Sequence, residues 1–424
     1  MNNTMMTLIT DPVLAAKARE ERGLIIAATY RLTKKGGIWL VPSQSGKGKY
    51  TVCSDPENPH CTCPDHETRS VKCKHIFAVE YVQKREENPD GSTTLIETVT
   101  LTEKRKTYPQ VWPAYNAAQT NEKDKFLMLL NDLCRGVEEP PQNFPMGRPR
   151  IPIADAVFTV CFKIYSTFSG RRFMSGLRAA QDKGYVSKTP HFNSIFNYLD
   201  WDDMTPILNK MIVETSTPLS AVEVDFAVDA SGFTTSRFDR WYDHKYGVVR
   251  KQHDWVKVHL MCGVKTNIVT AAEIVGKDAS STPMLPGLLT TTAQNFKPRE
   301  ISGDTEFGSL GNYAAIQAVG AMPYIPFKSI HTGKGGGLWA QMFHYFHFRR
   351  DEFLGHYHKR SNVESTFSMI KAKFRDHVRS KTDVAMKKEV LCKILCHNIC
   401  CLIQEMYELG IEPEFWTEKC KRAV

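Results

Sequence analysis

At 424 residues the chain is longer than one ordinary hydrophobic core supports, and length sets an expectation of two to three domains. A hydrophobic content of 42% supplies those cores, while a net charge of +9 and a pI near 8.8 favour an anionic partner. The 12 cysteines come without a secretory leader pattern, which points to a reducing compartment, and no uncharged apolar run reaches bilayer length, which argues against a membrane protein.

To about Glu86, strand-like pieces such as Tyr50-Thr51-Val52-Cys53 alternate with loops rich in Pro, Asp and Asn, and a helical run from His75 to Lys84 closes the segment. Within it, Cys61-Thr62-Cys63 and Cys73-Lys74-His75 form two tight pairs separated by nine residues. Three thiolates and one imidazole suit tetrahedral Zn²⁺, and a small loop-rich segment needs such a staple to fold. Cys53, His60 and His66 stand near enough in sequence to substitute for a ligand. From Glu87 to Gln119 the pattern is that of a polar connector, followed by a short amphipathic helix, Lys123 to Cys134, and the extended loop Glu139 to Pro145. Gly147-Arg148-Pro149-Arg150 resembles the core of a minor-groove AT-hook, although a basic Pro-containing linker is the plainer reading.

From Ala154 to Val213 the pattern is helical. Gly184 stops one helix, and Ser187-Lys188-Thr189-Pro190 starts the next through a hydroxyl cap and a first-turn proline. Arg171, Arg172, Arg178 and Lys183 would serve a DNA contact of helix-turn-helix type or a solvated helix face equally well. The period then changes to two: Val222, Val224, Phe226 and Val228 face one side, Glu223, Asp225, Ala227 and Asp229 the other. Strands over Trp255 to Gly263 and Ile268 to Val275, a helix near Ser281 to Gln294, and a strand ending at Asp304 complete the order expected of an RNase H-like mixed sheet. Phe343 to Phe348 reads as core or cleft packing. Cys392, Cys396 and Cys400 recur every four residues beside His397, among Leu391, Ile394, Leu395 and Ile399, and read as a packed helix face rather than a metal site.

Asp229 is expected where its strand gives way to a turn, and Asp304 likewise, so that two strand ends side by side form a cradle for metal. An aspartate before small residues also serves turns by itself. The third acid, Glu364, lies in Tyr357-x2-Arg360-x3-Glu364-x6-Lys371. Ser361-Asn362-Val363-Glu364 fits a capping box, which does not explain why Arg360, Glu364 and Lys371 share a helix face beside the packing stripe Val363, Phe367, Ile370 and Phe374. Between Arg349 and Lys381 nine Lys or Arg stand against four Asp or Glu.

On these residues, from about Val222 to Leu409, the chain resembles the insertion-sequence DDE transposases whose last acid sits in that Tyr-Arg-Glu-Lys signature, and Tyr50 to Val82 resembles a SWIM zinc finger. The resemblance implies an α/β chain in five parts: a zinc module (1–86), a linker with a short helix (87–152), a helical DNA-end-binding domain (153–215), an RNase H-like catalytic domain (216–410) and a tail (411–424). It implies Asp229, Asp304 and Glu364 as ligands of Mg²⁺ or Mn²⁺, Tyr357, Arg360 and Lys371 as DNA phosphate contacts, and Cys61, Cys63, Cys73 and His75 as Zn²⁺ ligands. Double-stranded DNA, as terminal inverted repeats and target, is the implied partner, with a homodimer in the synaptic complex and a cytoplasmic, nucleoid-associated location. A nuclease without strand transfer and a non-catalytic DNA-binding regulator are the alternatives. Only 59 residues separate Asp304 from Glu364, with little strand character, which argues against a large β insertion there and against any hairpin step that depends on one.

Overall fold

The computed structural model describes residues 12–44, 48–55, 58–86, 110–139, 150–235 and 255–416. They fall into two compact units, one up to Pro109 and one from Gln110 onward.

In the first unit, α1 (Pro12–Thr29) and α3 (Lys74–Glu86) accompany an antiparallel sheet of β1 (Thr33–Lys35), β2 (Ile38–Pro42), β3 (Lys49–Cys53) and β4 (His60–Cys61), with a short α2 (Pro64–Arg69) after β4. Gly36 and Gly37, at φ +56° and +86°, form the two-residue turn of the β1–β2 hairpin, where a side chain would be strained. The core is small. Ile26, Trp39, Val41, Val52, Ile76 and Val79 bury apolar surface beside Cys61, Cys63 and Cys73, too little to hold a domain of this size without help.

The second unit opens with α4 (Trp112–Arg135), so the stretch read as connector is helical from Trp112 and the helix is twice the expected length. Its first half leaves Trp112 and Tyr115 exposed and buries only Ala118, whereas Phe126, Leu127, Leu129, Leu130 and Leu133 are buried in the second. Four helices follow: α5 (Ile153–Ser166), α6 (Gly170–Asp182), α7 (Phe192–Tyr198) and α8 (Met204–Ser216). Gly184, at φ +76°, does follow the end of α6. The cap of α7, however, is His191, whose Nδ1 accepts from Asn193 N, because Ser187 is taken by the Asp155 carboxylate and Thr189 by Gln181.

The sheet is mixed. β5 (Asp225–Thr234), β6 (Trp255–Gly263), β7 (Val269–Val275), β8 (Glu300–Gly303) and β9 (Met322–Tyr324) lie in the order β7-β6-β5-β8-β9, antiparallel from β7 to β5 and parallel from β5 to β9. This arrangement is consistent with an RNase H-like sheet. The alternation along β5 sorts its side chains, yet both faces are covered, so Ala227 is as buried as Phe226 and Val228. One face packs on α9 (Leu285–Ala293), α10 (Leu310–Ala318), α11 (Gly337–Phe348) and α12 (Arg350–Tyr357). The other packs on α13 (Ser361–Phe374), α14 (Asp383–Glu408) and the helices α4, α5 and α8, which share its core instead of forming a separate body. Between Asp304 and Glu364 the one strand is β9, part of the sheet, so no β insertion is present.

At the centre of that second core lies α14, the one helix among the described residues long and apolar enough to cross a membrane, and 78% of its apolar window is buried inside the protein. Cys392 and Cys396 belong to the core, as expected of that stripe. Asn398, fully buried, accepts from Val269 N (2.9 Å) and donates to Val269 O (2.7 Å), closing the open edge of β7 as a further strand would, and also donates to Thr215 Oγ1 and Ile212 O of α8. The residues after α14 are docked as well: Trp416 donates through Nε1 to Leu133 O (2.8 Å) and through its backbone to Glu214.

Candidate active site

The pairing of β5 with β8 ends at Val228 opposite Gly303, and the next residue on each side is an aspartate, so strand register sets Asp229 beside Asp304. A Cβ on Gly303 would come within 2.8 Å of Val228 Cγ1, so glycine lets the strands approach just before the pair. Asp304 does follow the end of its strand, at the head of a 3₁₀ turn, Thr305–Phe307. Asp229 does not. It sits mid-strand opposite Leu260, because β5 continues to Thr234 on β6 after β8 has ended.

Each aspartate spends one oxygen locally: Asp229 Oδ1 accepts from Ala230 N (2.8 Å) and Asp304 Oδ1 from Thr305 N (2.6 Å). The other oxygens turn to Arg360, whose Nη2 lies 2.7 Å from Asp229 Oδ2 and 4.0 Å from Asp304 Oδ2, while Nη1 lies 2.7 Å from Glu364 Oε1. Three carboxylates from separate segments thus gather on one cation. Burial first, then the Asp304 and Glu364 charges, push the Asp229 carboxyl above its ordinary pKa, against the Ala230 N–H and Arg360.

Glu364 and Lys371 stand on α13, with Val363, Phe367, Ile370 and Phe374 buried beneath. The capping box does not form: helical backbone runs from α12 through a 3₁₀ turn, His358–Arg360, into α13, and the cap position is Arg360, without a side-chain cap. Asn362 reaches Val264 O instead. Lys371 Nζ donates to Ser231 Oγ (2.6 Å), two residues beyond Asp229, and Tyr357 is half-buried near Arg360, its pKa raised by burial against the pull of that guanidinium. A cleft of about 540 Å³ is lined by Asp229, Ser231, Glu364, Ser368, Lys371 and Asp376, among others. Ser231 and Asp376 were not singled out from sequence. Ser231 was findable, since period two puts it on the face of Asp229, whereas Asp376 reaches the cleft through the bend after α13, which no local pattern announces.

The donor chemistry fits a divalent cation. Hard carboxylate oxygens from three segments suit Mg²⁺ or Mn²⁺, and their convergence on a guanidinium shows an array that already holds positive charge.

In the first unit, the donor atoms of Cys61, Cys63, Cys73 and His75 are all buried and lie within 4.8 Å of one another. His75 Nδ1 is 3.8 Å from Cys61 Sγ and 3.9 Å from Cys73 Sγ, close to the ~3.6 Å edge of a tetrahedron built on Zn–S and Zn–N bond lengths. The contact to Cys61, with His75 and backbone N–H support against burial, pulls the Cys73 thiol down to about 3, while the same contact and burial raise Cys61. The cluster is compatible with zinc. Cys53, His60 and His66 stay outside it: Cys53 is exposed, and His66 bonds Val71 O and rests edge-on against His60.

Gly147, Arg148 and Pro149 lie outside the described residues, and Arg150 stacks over Trp201, 5.2 Å from the ring centre. Within the aromatic run of α11, Phe346 is core and Phe348 is exposed.

A search of the curated proteins finds no match to this chain. Residues 221–399 match the family model of the transposase DDE domain, a stretch that holds the whole sheet and all three acids. That likeness supports a DDE transposase.

Proposed function

We propose that the protein is a DNA transposase that cleaves DNA at the ends of a mobile element and joins them to a target. The observation that carries the reading is the convergence of Asp229, Asp304 and Glu364 inside the stretch similar to transposase DDE domains. These three side chains would hold Mg²⁺ or Mn²⁺, which when bound supplies an activated water or 3′ hydroxyl and stabilisation of the leaving oxygen. Lys371, positioned by Ser231 at the cleft, offers a point charge to a phosphate, and Arg360, whose terminal nitrogens hold Asp229 and Glu364, would turn its fork to a phosphate once a divalent ion takes over those carboxylates. Tyr357 stands beside Arg360 and can donate its hydroxyl to the same strand.

The reading extends to a SWIM-type module around Tyr50 to Val82 that holds Zn²⁺ on Cys61, Cys63, Cys73 and His75. It also assigns the helices between Ile153 and Ser216 to binding of the terminal repeats, with exposed Arg172 and Arg178 on α6 as the contacts, and a homodimer that brings two ends together on DNA in the cytoplasm. The test is a Mg²⁺-dependent reaction on DNA carrying the sequences that flank the gene. Joined products from wild type and none from Glu364→Gln support the proposal. Cleavage without joining would make the protein a nuclease, and binding without cleavage a regulator.

A further inference from the structure

A second cavity, of about 600 Å³, opens between α5, α7 and the first turn of α14 and shares no lining residue with the acidic cleft. That volume suits a ligand the size of a nucleotide. Its lining joins apolar Ile195, Leu199 and Phe196, the last 44% exposed, to the charged Asp200 and Lys381. Lys163 also lines it, only 7% exposed. Its ammonium has no hydrogen-bond or ion-pair partner among the described residues. The neighbouring carboxylate, Glu389, is already engaged by Arg379 N (2.9 Å), Ser380 N (2.8 Å) and Ser380 Oγ (2.7 Å). Arg379, on the rim, gives Nη1 to Thr167 O and Phe168 O.

A buried ammonium with no counter-charge is unfavourable. Burial, then Arg379, bring the Lys163 pKa down to about 8 against the pull of Glu389, whose carboxylate is engaged elsewhere, so the ammonium keeps hydrogen-bonding capacity for an anion in the cavity. The aromatic wall beside the cation adds a second requirement: a flat apolar group attached to that anion, with the side-chain amide of Asn197 at the lining to meet polar edges.

We propose that this pocket binds a nucleotide, its phosphate on Lys163 and Arg379 and its base against Phe196. The nucleotide is either free or one unit of a DNA strand. The second source is within reach, because Asp376 lines the acidic cleft and Arg379 the pocket, and three residues of chain span about 10 Å at most. The inference does not depend on strand transfer.

The test is calorimetric titration of the full-length protein with dAMP, with a short single-stranded oligodeoxynucleotide and with inorganic phosphate. The expected result is binding of dAMP or the oligonucleotide at least about tenfold tighter than phosphate, weakened about tenfold by Lys163→Met and by Phe196→Ala and unchanged in Glu364→Gln. Binding of dAMP identifies a free nucleotide as sufficient, and binding of the oligonucleotide alone identifies a strand. Lys163→Met removes an unpaired buried charge and should melt no lower than wild type, and the exposed Phe196 gives a second variant that does not threaten folding. The proposal is overturned if neither probe binds, if both variants bind as wild type, if phosphate binds equally well, or if Glu364→Gln abolishes binding.

Discussion

Arg360 holds together three carboxylates that would otherwise repel one another, through two nitrogens that point to different acids. A lysine places one ammonium and cannot serve both Asp229 and Glu364, so Arg360→Lys should lower DNA cleavage more than conservation of charge suggests, by at least about tenfold. In Arg360→Ala the acids face one another without a cation. Their repulsion makes any added divalent ion worth more to stability, and the gain in Tm on adding Mn²⁺ should exceed that of wild type in thermal melts; an equal gain would show that the acids do not share one ion site. At this scale the sequence named the acids that converge, but not their setting. Asp229 looked like a strand end because Ala230-Ser231-Gly232 reads as a turn, but β6 carries β5 onward through those residues, and pairing with a distant strand is invisible to local pattern. Ser361 fitted a cap, yet the preceding turn is already helical and supplies the partners that a cap would replace.

Among the elements, α14 ties the second unit together, and two of its polar groups can be tested. Asn398 satisfies the backbone of Val269 on both its N–H and C=O, so Asn398→Ala leaves buried groups unpaired and should cost about 2–4 kcal/mol in urea unfolding. Glu405 is buried near Glu408, and burial first, then that charge, raise its pKa to about 7. Because the folded value lies above the ordinary one, the folded state binds the proton more tightly. The associated stability is present below the ordinary glutamate range and is lost as pH rises through about 7. Glu405→Gln should therefore raise Tm by about 2 °C at pH 8 and leave it nearly unchanged at pH 4, with a parallel offset at both pH values counting against this role. The helical run and the apolar Cys stripe of α14 were legible from residue spacing. The extent of α4 was not, since its first half buries only Ala118 and so carries no apolar stripe, and its packing on α14 and α5 is long-range.

At the level of the whole molecule, the Cys/His cluster and the three converging acids lie in separate units. Four strands of the second were readable in chain order from alternation and turn residues, with β6 and β7 found within a residue of their expected bounds, whereas the short β9 was not. Nor was the integration of that unit, because helices that look like a domain of their own share a core with the sheet. For the first unit, two Cys/His pairs marked a cluster that its thin core alone would not explain. One equivalent of zinc is expected in purified protein, lost in Cys73→Ser, and its removal by a chelator should unfold the first unit while the second keeps its melting transition; zinc-free protein with both transitions intact would refute the assignment. The most direct measurement for the account as a whole is the rate of Mg²⁺-dependent cleavage and joining at the element's own ends for Asp229→Asn, Asp304→Asn and Glu364→Gln beside wild type. We expect each variant to bind the ends yet lose at least about a thousandfold in rate, as for loss of a group that acts in the chemical step. Wild-type cleavage by any one of the three would contradict a shared metal centre and with it the proposed chemistry.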